Sequence, residues 1–197
     1  MTVQIKQGFN EKDRAKVVGL YWQAFGPKLG KVMSPEEKAL AFLCNIADPC
    51  HALSAVDQQG SLLGVAGFKT AKGALIGGSL ADLAQTYGWI GALWRGLTLS
   101  VLERPPEPDI LTMDGIFVSP EARGQGVGTL LLTAIKDEAK RQGLASVRLD
   151  VIDINPRAKA LYEREGFKDI GSEDMGSLKY LFGFSNATKM VFTHPKA

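Results

Sequence analysis

Four consecutive pieces decide the fold: Leu111-Thr-Met-Asp-Gly-Ile-Phe-Val118, Ser119-Pro-Glu-Ala122, Arg123-Gly-Gln-Gly-Val-Gly128 and Thr129-Leu-Leu-Leu-Thr-Ala-Ile-Lys136. They read as strand, short loop, glycine-rich turn and helix. Ile116, Phe117 and Val118 are strand formers. Pro120 has no N–H to give to a ladder and stops the strand. Leu130, Leu131, Ala134 and Ile135 recur at helical spacing, so the glycines sit where a helix begins. A helix N-terminus offers unpaired N–H groups and a partial positive charge, which together suit a phosphate. Glycine lets the backbone approach that phosphate closely, and Arg123 adds a permanent cation with a planar donor fork.

Working outward toward the C-terminus, the helix runs to Gln142 and stops at Gly143. Residues 147–152 read as the next strand, and a strand–helix–strand unit makes the two strands parallel. Asn155 is placed to cap a further helix over residues 157–165, with Pro156 at its first position. Residues 168–171 and 188–192 read as strands, with 172–186 as a long connection. Toward the N-terminus, residues 3–6 read as a strand. Residues 11–25 carry Ala15, Val18, Leu20, Tyr21, Trp22 and Phe25 at helical period, with Asn10 or Asp13 as cap. Gly26-Pro27-Lys-Leu-Gly30 is expected to break that helix. Ser34-Pro35-Glu-Glu37 supplies an N-cap, a first-position proline and an acidic third position for a second helix to about Ala47. Residues 52–56 and 62–68 read as strands joined by a hairpin loop at 57–60.

Residues 75–102 form an unusually apolar segment. Leu80, Leu83, Ala84, Tyr87, Ile90, Trp94, Leu97, Val101 and Leu102 approach an i, i+3, i+4, i+7 stripe, while Trp89, Leu93 and Leu99 fall off it. Gly88, Gly91 and Gly96 favour two shorter helices over one long one. Asp82 and Arg95 interrupt the segment well short of the ~20 apolar residues of a membrane span. Residues 104–108, rich in proline, read as a stiff linker.

A chain of 197 residues with net charge +2 is expected to form one domain. It shows no Lys/Arg cluster with interleaved aromatics, so no nucleic-acid partner is expected. The N-terminus has no apolar signal region. Cys44 and Cys50 are too few for a disulfide framework and read as buried thiols, giving an expected cytoplasmic location. His51 adjoins Cys50 without zinc-like spacing, so no metal site is expected.

The order Arg123-x-x-Gly126-x-Gly128 resembles the pyrophosphate motif of the GNAT superfamily, the Gcn5-related N-acetyltransferases that use acetyl-CoA. Asn155-Pro-Arg-Ala-Lys-Ala-Leu-Tyr162-Glu-Arg-Glu-Gly-Phe167 resembles the family's second signature, one helix and one strand further on. The two signatures cover roughly residues 111–167. The resemblance implies an α/β GNAT fold: a mixed central sheet of about six to seven strands with flanking helices. Residues 1–197 would form a single acetyltransferase domain, with residues 75–103 as a helical insertion between the third and fourth strands. Acetyl-CoA would be the co-substrate, and a primary amine, small-molecule or peptide, would attack it directly in a ternary complex.

The resemblance also implies residue roles. Arg123, Gly124, Gln125, Gly126, Val127 and Gly128 would hold the pyrophosphate. Ile116, Phe117 and Val118 would pair backbone groups with the pantetheine amides, beside a bulge that Gly115 could mark. Asn155 would contact the pantetheine arm or simply orient its helix. Tyr162 occupies the position that donates a proton to the leaving thiolate; a phenol is protonated at neutral pH and suits the task. Asp114, read as sharing a strand face with Thr112 and Ile116, or Asp150 on the neighbouring strand, would take the ammonium proton, with Asp150 slightly favoured by its central position. Glu121 and Arg148 read as solvated charges. The insertion would cover the acceptor side of the cleft or pack against a second subunit, a possible homodimer. A dinucleotide-binding unit fits less well, because the third glycine falls one residue early for G-x-G-x-x-G, and no Gly-Lys-Ser/Thr supports a Walker loop. The alternative within the fold is a non-catalytic CoA-binding sensor or interaction module.

Overall fold

The computed structural model describes residues 2–100 and 107–195. Its strands are β1 (Gln4–Gln7), β2 (Ala52–Val56), β3 (Leu62–Thr70), β4 (Gly73–Ala74), β5 (Ile110–Val118), β6 (Ser146–Ile152), β7 (Lys168–Asp174) and β8 (Asn186–Thr193). They form one mixed sheet in the order β1-β2-β3-β5-β6-β8-β7, with the short β4 paired to β3. The helices are α1 (Arg14–Met33), α2 (Glu36–Ile46), α3 (Leu80–Ser100), α4 (Val127–Arg141), α5 (Pro156–Arg164) and α6 (Lys179–Phe182). The α/β architecture is as expected, with β4 raising the strand count above the six to seven anticipated.

The parallel pair is β5 with β6, joined through α4 as the strand–helix–strand reading requires. Their ladder covers only Ile110 to Thr112 against Ser146 to Arg148. Beyond Thr112 the two strands diverge: β5 continues on β3 alone, and β6 on β8. A bulge accompanies the divergence. Gly67 pairs with Gly115 but Phe68 pairs with Met113, so Asp114 is the extra residue. An extra residue reverses which way the following side chains point. Asp114 therefore lies toward α1, near Tyr21 and His51, whereas Ile116 packs into the cluster on the α4 face. The expectation that Asp114 and Ile116 share a face is corrected by that one residue.

Apolar side chains cover both faces of the sheet. Leu111, Met113, Leu131, Leu132, Ile135, Leu149 and Met190 fill the α4 side. Leu131, Leu132 and Ile135 are completely buried, each worth roughly 1.5–3 kcal/mol over exposure. Val17, Leu20, Val65, Leu75 and Phe117 pack beneath α1, and Trp22, Phe42, Leu43, Phe182 and Phe184 extend that layer.

The N-terminal helices differ from expectation. Residues 11–13 form a 3-10 turn, and neither Asn10 nor Asp13 makes a side-chain cap bond. α1 does not break at Gly26–Gly30 but runs through Pro27 to Met33. Burial of Leu29, Val32 and Met33 outweighs the propensity cost, and Gly26 serves packing instead: a Cβ there would come within 3.0 Å of the Trp22 indole. Ser34 ends α1, and Pro35 rather than Ser34 holds the cap position of α2, again without a side-chain bond.

The insertion is helical, and it divides at Gly88, whose φ of 71° is non-helical. α3 packs on the junction of α1 and α2. The Tyr87 hydroxyl donates to the Met33 carbonyl at 2.7 Å, and Arg95 donates to the Ser34 carbonyl at 3.0 Å. The expected apolar stripe is the buried one from Leu83 to Tyr87 but not beyond Gly88. Leu83 and Ala92 are buried, and Ala84, Tyr87 and Leu99 pack partly against the core. Ile90, Leu97, Trp89 and Leu93 are exposed. The break at Gly88 resets the helical phase, so one continuous period could not track the buried face. Val101, Leu102 and the start of the proline-rich linker lie outside the described residues. β7 runs on to Asp174, and the connection after it holds a 3-10 turn and α6.

Candidate active site

The divergence of β5 from β6 opens a cleft of about 250 Å³. One wall is the β5 edge at Ile116, Phe117 and Val118, which has no strand partner on that side among the described residues. A second is α1, through Leu20, Gln23 and Ala24. The third is α5, through Ala158, Leu161 and Tyr162. Arg123 and Gly128 complete the lining.

The glycine-rich turn closes the β5 end. After Val118, Pro120–Ala122 make a 3-10 turn, and Gly126, left-handed at φ 80°, caps α4. Gly124 is also left-handed, at φ 76°, a conformation L side chains rarely adopt. A Cβ at either position would meet nothing within 4 Å. The glycines are thus needed for backbone direction, which aims the first-turn amides of α4 outward. No side chain caps that turn. Arg123 is exposed, and its Nε donates to the Val118 carbonyl at 3.2 Å, pinning the guanidinium beside the turn. Gln125 donates to the Glu121 carbonyl at 2.7 Å. Arg123, Gly124, Gln125, Gly126, Val127 and Gly128 are therefore brought together in one turn that presents backbone N–H groups and a guanidinium, the donor chemistry that suits an anion.

On α5, the Asn155 side chain accepts from the Ala158 amide at 3.3 Å, so it caps the helix as expected. Tyr162 follows two turns later with its ring buried against Phe167 at 6.0 Å. Its hydroxyl makes no hydrogen bond among the described residues and is not sealed from the cleft. Burial pushes the phenol up to about 12, so it keeps its proton through the neutral range and can donate it.

The two carboxylates differ. Asp114, at the bulge, is largely buried, and one carboxylate oxygen has no hydrogen-bond partner. Burial raises its carboxyl from 3.8 to about 6, despite opposition from Lys69, the Leu75 amide and His51. It can take up a proton near neutrality. Asp150 is exposed on β6 and lies 3.5 Å from the Arg148 guanidinium. Arg148 itself is buried, not solvated as read from sequence, and pairs also with Glu107. Its position inside the sheet, between two acidic partners, explains how a guanidinium tolerates burial. Glu121 is exposed, as expected. Cys50 is exposed and Cys44 half-buried, so neither is the fully buried thiol expected. Cys50 lies in the short turn after α2, whose last residue, His51, is the one that faces inward and pairs with Asp48 at 2.8 Å.

Sequence reasoning missed the α1 wall. Leu20, Gln23, Ala24 and Tyr21 looked like ordinary amphipathic periodicity. The available signal was spacing: Tyr21, Phe25 and Lys28 recur at i, i+4 and i+7, with both rings packed on Phe117 of β5 at 5.4 and 5.7 Å.

Comparison with known proteins bears on this geometry. A family model described as "Acetyltransferase (GNAT) family" matches residues 15–167. A thialysine N-epsilon-acetyltransferase from Mus musculus is 36% identical over 70 residues, covering 36% of this chain and 41% of that protein. An alanine N-acetyltransferase of ribosomal protein bS18 from Escherichia coli is 39% identical over 61 residues, 31% of this chain and 41% of its own length. The matched stretch thus spans about two fifths of these curated relatives. Among solved structures, a Gcn5-related N-acetyltransferase from Kribbella flavida superposes with TM-score 0.64 at 18% identity, covering 98% of both chains. Ard1 from Thermoplasma volcanium gives 0.62 at 18% over the full length of both. At that identity the likeness is one of fold.

Proposed function

We infer the activity from one premise: this chain belongs to the acetyltransferase (GNAT) family. The function that the geometry supports best is transfer of an acetyl group from acetyl-CoA to a primary amine, by direct attack in a ternary complex. One observation carries it. β5 leaves β6 immediately after Thr112, and the cleft so opened runs from the glycine cradle to Tyr162.

The residues present fit acetyl-CoA. The α4 amides and Arg123 suit its pyrophosphate. The unpartnered edge of β5 at Ile116, Phe117 and Val118 offers backbone groups to an extended, amide-bearing arm. Asn155 contributes by holding α5, and with it Tyr162, against the cleft. Acetyl-CoA supplies an activated thioester. The protein's part is to align the amine with it, take one proton and give another. Asp114 is the better base: it faces the α1 side, its carboxyl is raised to about 6, and one oxygen has no partner. Asp150 is matched instead by Arg148. Tyr162 is the acid, holding its proton until a thiolate needs it. A β5 backbone N–H beside the bulge would stabilise negative charge on the carbonyl oxygen.

Thiol release from acetyl-CoA with a panel of primary amines tests the reading. Amine-dependent release supports transfer. Tight CoA binding with no release for any amine would make the protein a sensor.

A further inference from the structure

One α1 row ends on a half-buried cation that makes no ion pair among the described residues. Leu20 and Ala24 line the cleft, and Lys28 continues that row by another helical turn, about 6 Å along the axis. The Lys28 ammonium lies 4.5 Å from the Phe25 ring centre and 5.8 Å from that of Phe184. Phe25 packs on Phe117 of β5. Phe184 precedes β8, whose Ala187 pairs with Ile152 of β6. The ammonium therefore stands over the gap between the diverging strands, on the α1 face toward which Asp114 also points. Burial lowers Lys28 to about 8, and among the described residues no charged neighbour contributes to its environment. Elsewhere on α1, Arg14 pairs with Glu11 at 2.6 Å, and Lys16 and Lys31 donate to the carbonyls of Leu62 and Tyr180. Lys28 alone of these faces only aromatic rings.

A cation partly withdrawn from water without a counter-ion carries a desolvation cost. Aromatic faces recover part of that cost, and a bound anion would recover more. We propose that Lys28 anchors a carboxylate on the amine acceptor, so that the acceptor class is an amine bearing a carboxylate at its far end. This rests on the acetyl transfer inferred above. Asp114 suits the ammonium end of such a molecule and Lys28 the anionic end. Tyr21 and Phe25, with ring centres 4.7 Å apart, form an apolar wall between them that suits a hydrocarbon spacer. The pyrophosphate has its own cation and amides at Arg123 and the glycine turn.

The test uses ω-amino acids of increasing length, from glycine to 6-aminohexanoate, each beside its neutral amide. The full chain should favour the best acid over its amide by about tenfold or more in kcat/KM, the factor one hydrogen bond to a charged group supplies. The preference should lie mainly in the acceptor's KM. Lys28→Met, which keeps the packing against Phe25, should bring the ratio close to one, and Lys28→Arg should retain most of it. Calorimetry of the same acids and amides with CoA-saturated protein is read alongside. Acids bound through Lys28 without turnover would keep the anchor and refute acetyl transfer. Turnover of amines with no difference between acid and amide would keep the transfer and overturn the anchor. Failure of every acid to bind or react overturns the anchor. So does a tenfold loss of CoA affinity in Lys28→Met, which would assign Lys28 to a phosphate of CoA.

Discussion

Replacing Asp114 by Asn should make the protein more stable and nearly inactive, and the stability gain should depend on pH in a calculable way. The Asp114 carboxyl sits at about 6 in the folded chain, against 3.8 for an exposed carboxyl. The folded state thus holds this proton more tightly than the unfolded state. Between those values the native chain binds more protons, so stability falls as pH rises, and the penalty is complete above about pH 6. Its full size is about 3 kcal/mol, from roughly 1.4 kcal/mol per tenfold change in proton affinity. About 1 kcal/mol of it is already present at pH 4.5, so some 2 kcal/mol develops between pH 4.5 and pH 8. Asn cannot ionise and escapes the penalty, while its burial and shape stay close to those of protonated Asp. Urea unfolding of parent and variant at both pH values gives two stability differences, and subtracting one from the other cancels every group the two proteins share. The variant's advantage should grow by about 2 kcal/mol toward pH 8. An advantage that is flat within ~0.5 kcal/mol, or that shrinks, would show that Asp114 is not a buried carboxylate held at a cost. Over the same range the parent's kcat/KM should rise as Asp114 ionises near pH 6, and Asp114→Asn should lose ~10²-fold or more of kcat.

Other outcomes follow from single positions. Tyr162→Phe should lower kcat by roughly 10²-fold with little change in the KM for acetyl-CoA, because the proton is needed in the transition state; full activity would return Tyr162 to a packing role. With the phenol held up near 12, Tyr162 should impose no alkaline fall in kcat below about pH 10, and such a fall that vanished in Tyr162→Phe would contradict its environment. Gly126→Val should cost ~10-fold or more in CoA affinity by calorimetry, about 1.4 kcal/mol, since φ 80° strains a branched residue and the added methyls crowd the cradle; unchanged affinity in a folded variant would remove the phosphate site from this turn. The exposed α3 row of Trp89, Ile90, Leu93 and Leu97 offers a few hundred Å² of contiguous apolar surface, the scale of an interaction patch. The prediction is a homodimer through this face by sedimentation, converted to monomer by Ile90→Lys with Leu97→Lys; a monomeric parent refutes it.

The catalytic half of the fold was legible because its signals are local. Proline, glycine and arginine at fixed offsets in residues 116–128 mark strand end, turn and helix start, and Asn155-Pro156 marks a capped helix whatever surrounds it. The parallel pairing of β5 with β6 then follows from handedness. Signals set by tertiary contact were not legible. The α1 helix crosses Pro27 because Leu29, Val32 and Met33 are buried on the far side, which no window of propensities contains. The face of Asp114 turns on one bulged residue, and the insertion's buried stripe on the phase change at Gly88. Arg148 reads as a surface charge until Glu107 and Asp150 are placed beside it. The cleft's α1 wall, Leu20, Gln23 and Ala24, became visible only when helix and sheet were brought together.

The central claim is that the cleft between β5 and β6 carries acetyl from acetyl-CoA to an amine. Mass spectrometry of a primary-amine panel incubated with acetyl-CoA and the full chain tests it most directly. The prediction is an N-acetylated amine formed in step with free CoA, and abolished together with thiol release in Asp114→Asn carrying Tyr162→Phe. CoA bound at the glycine turn with no acetylated amine from any member of the panel would contradict it.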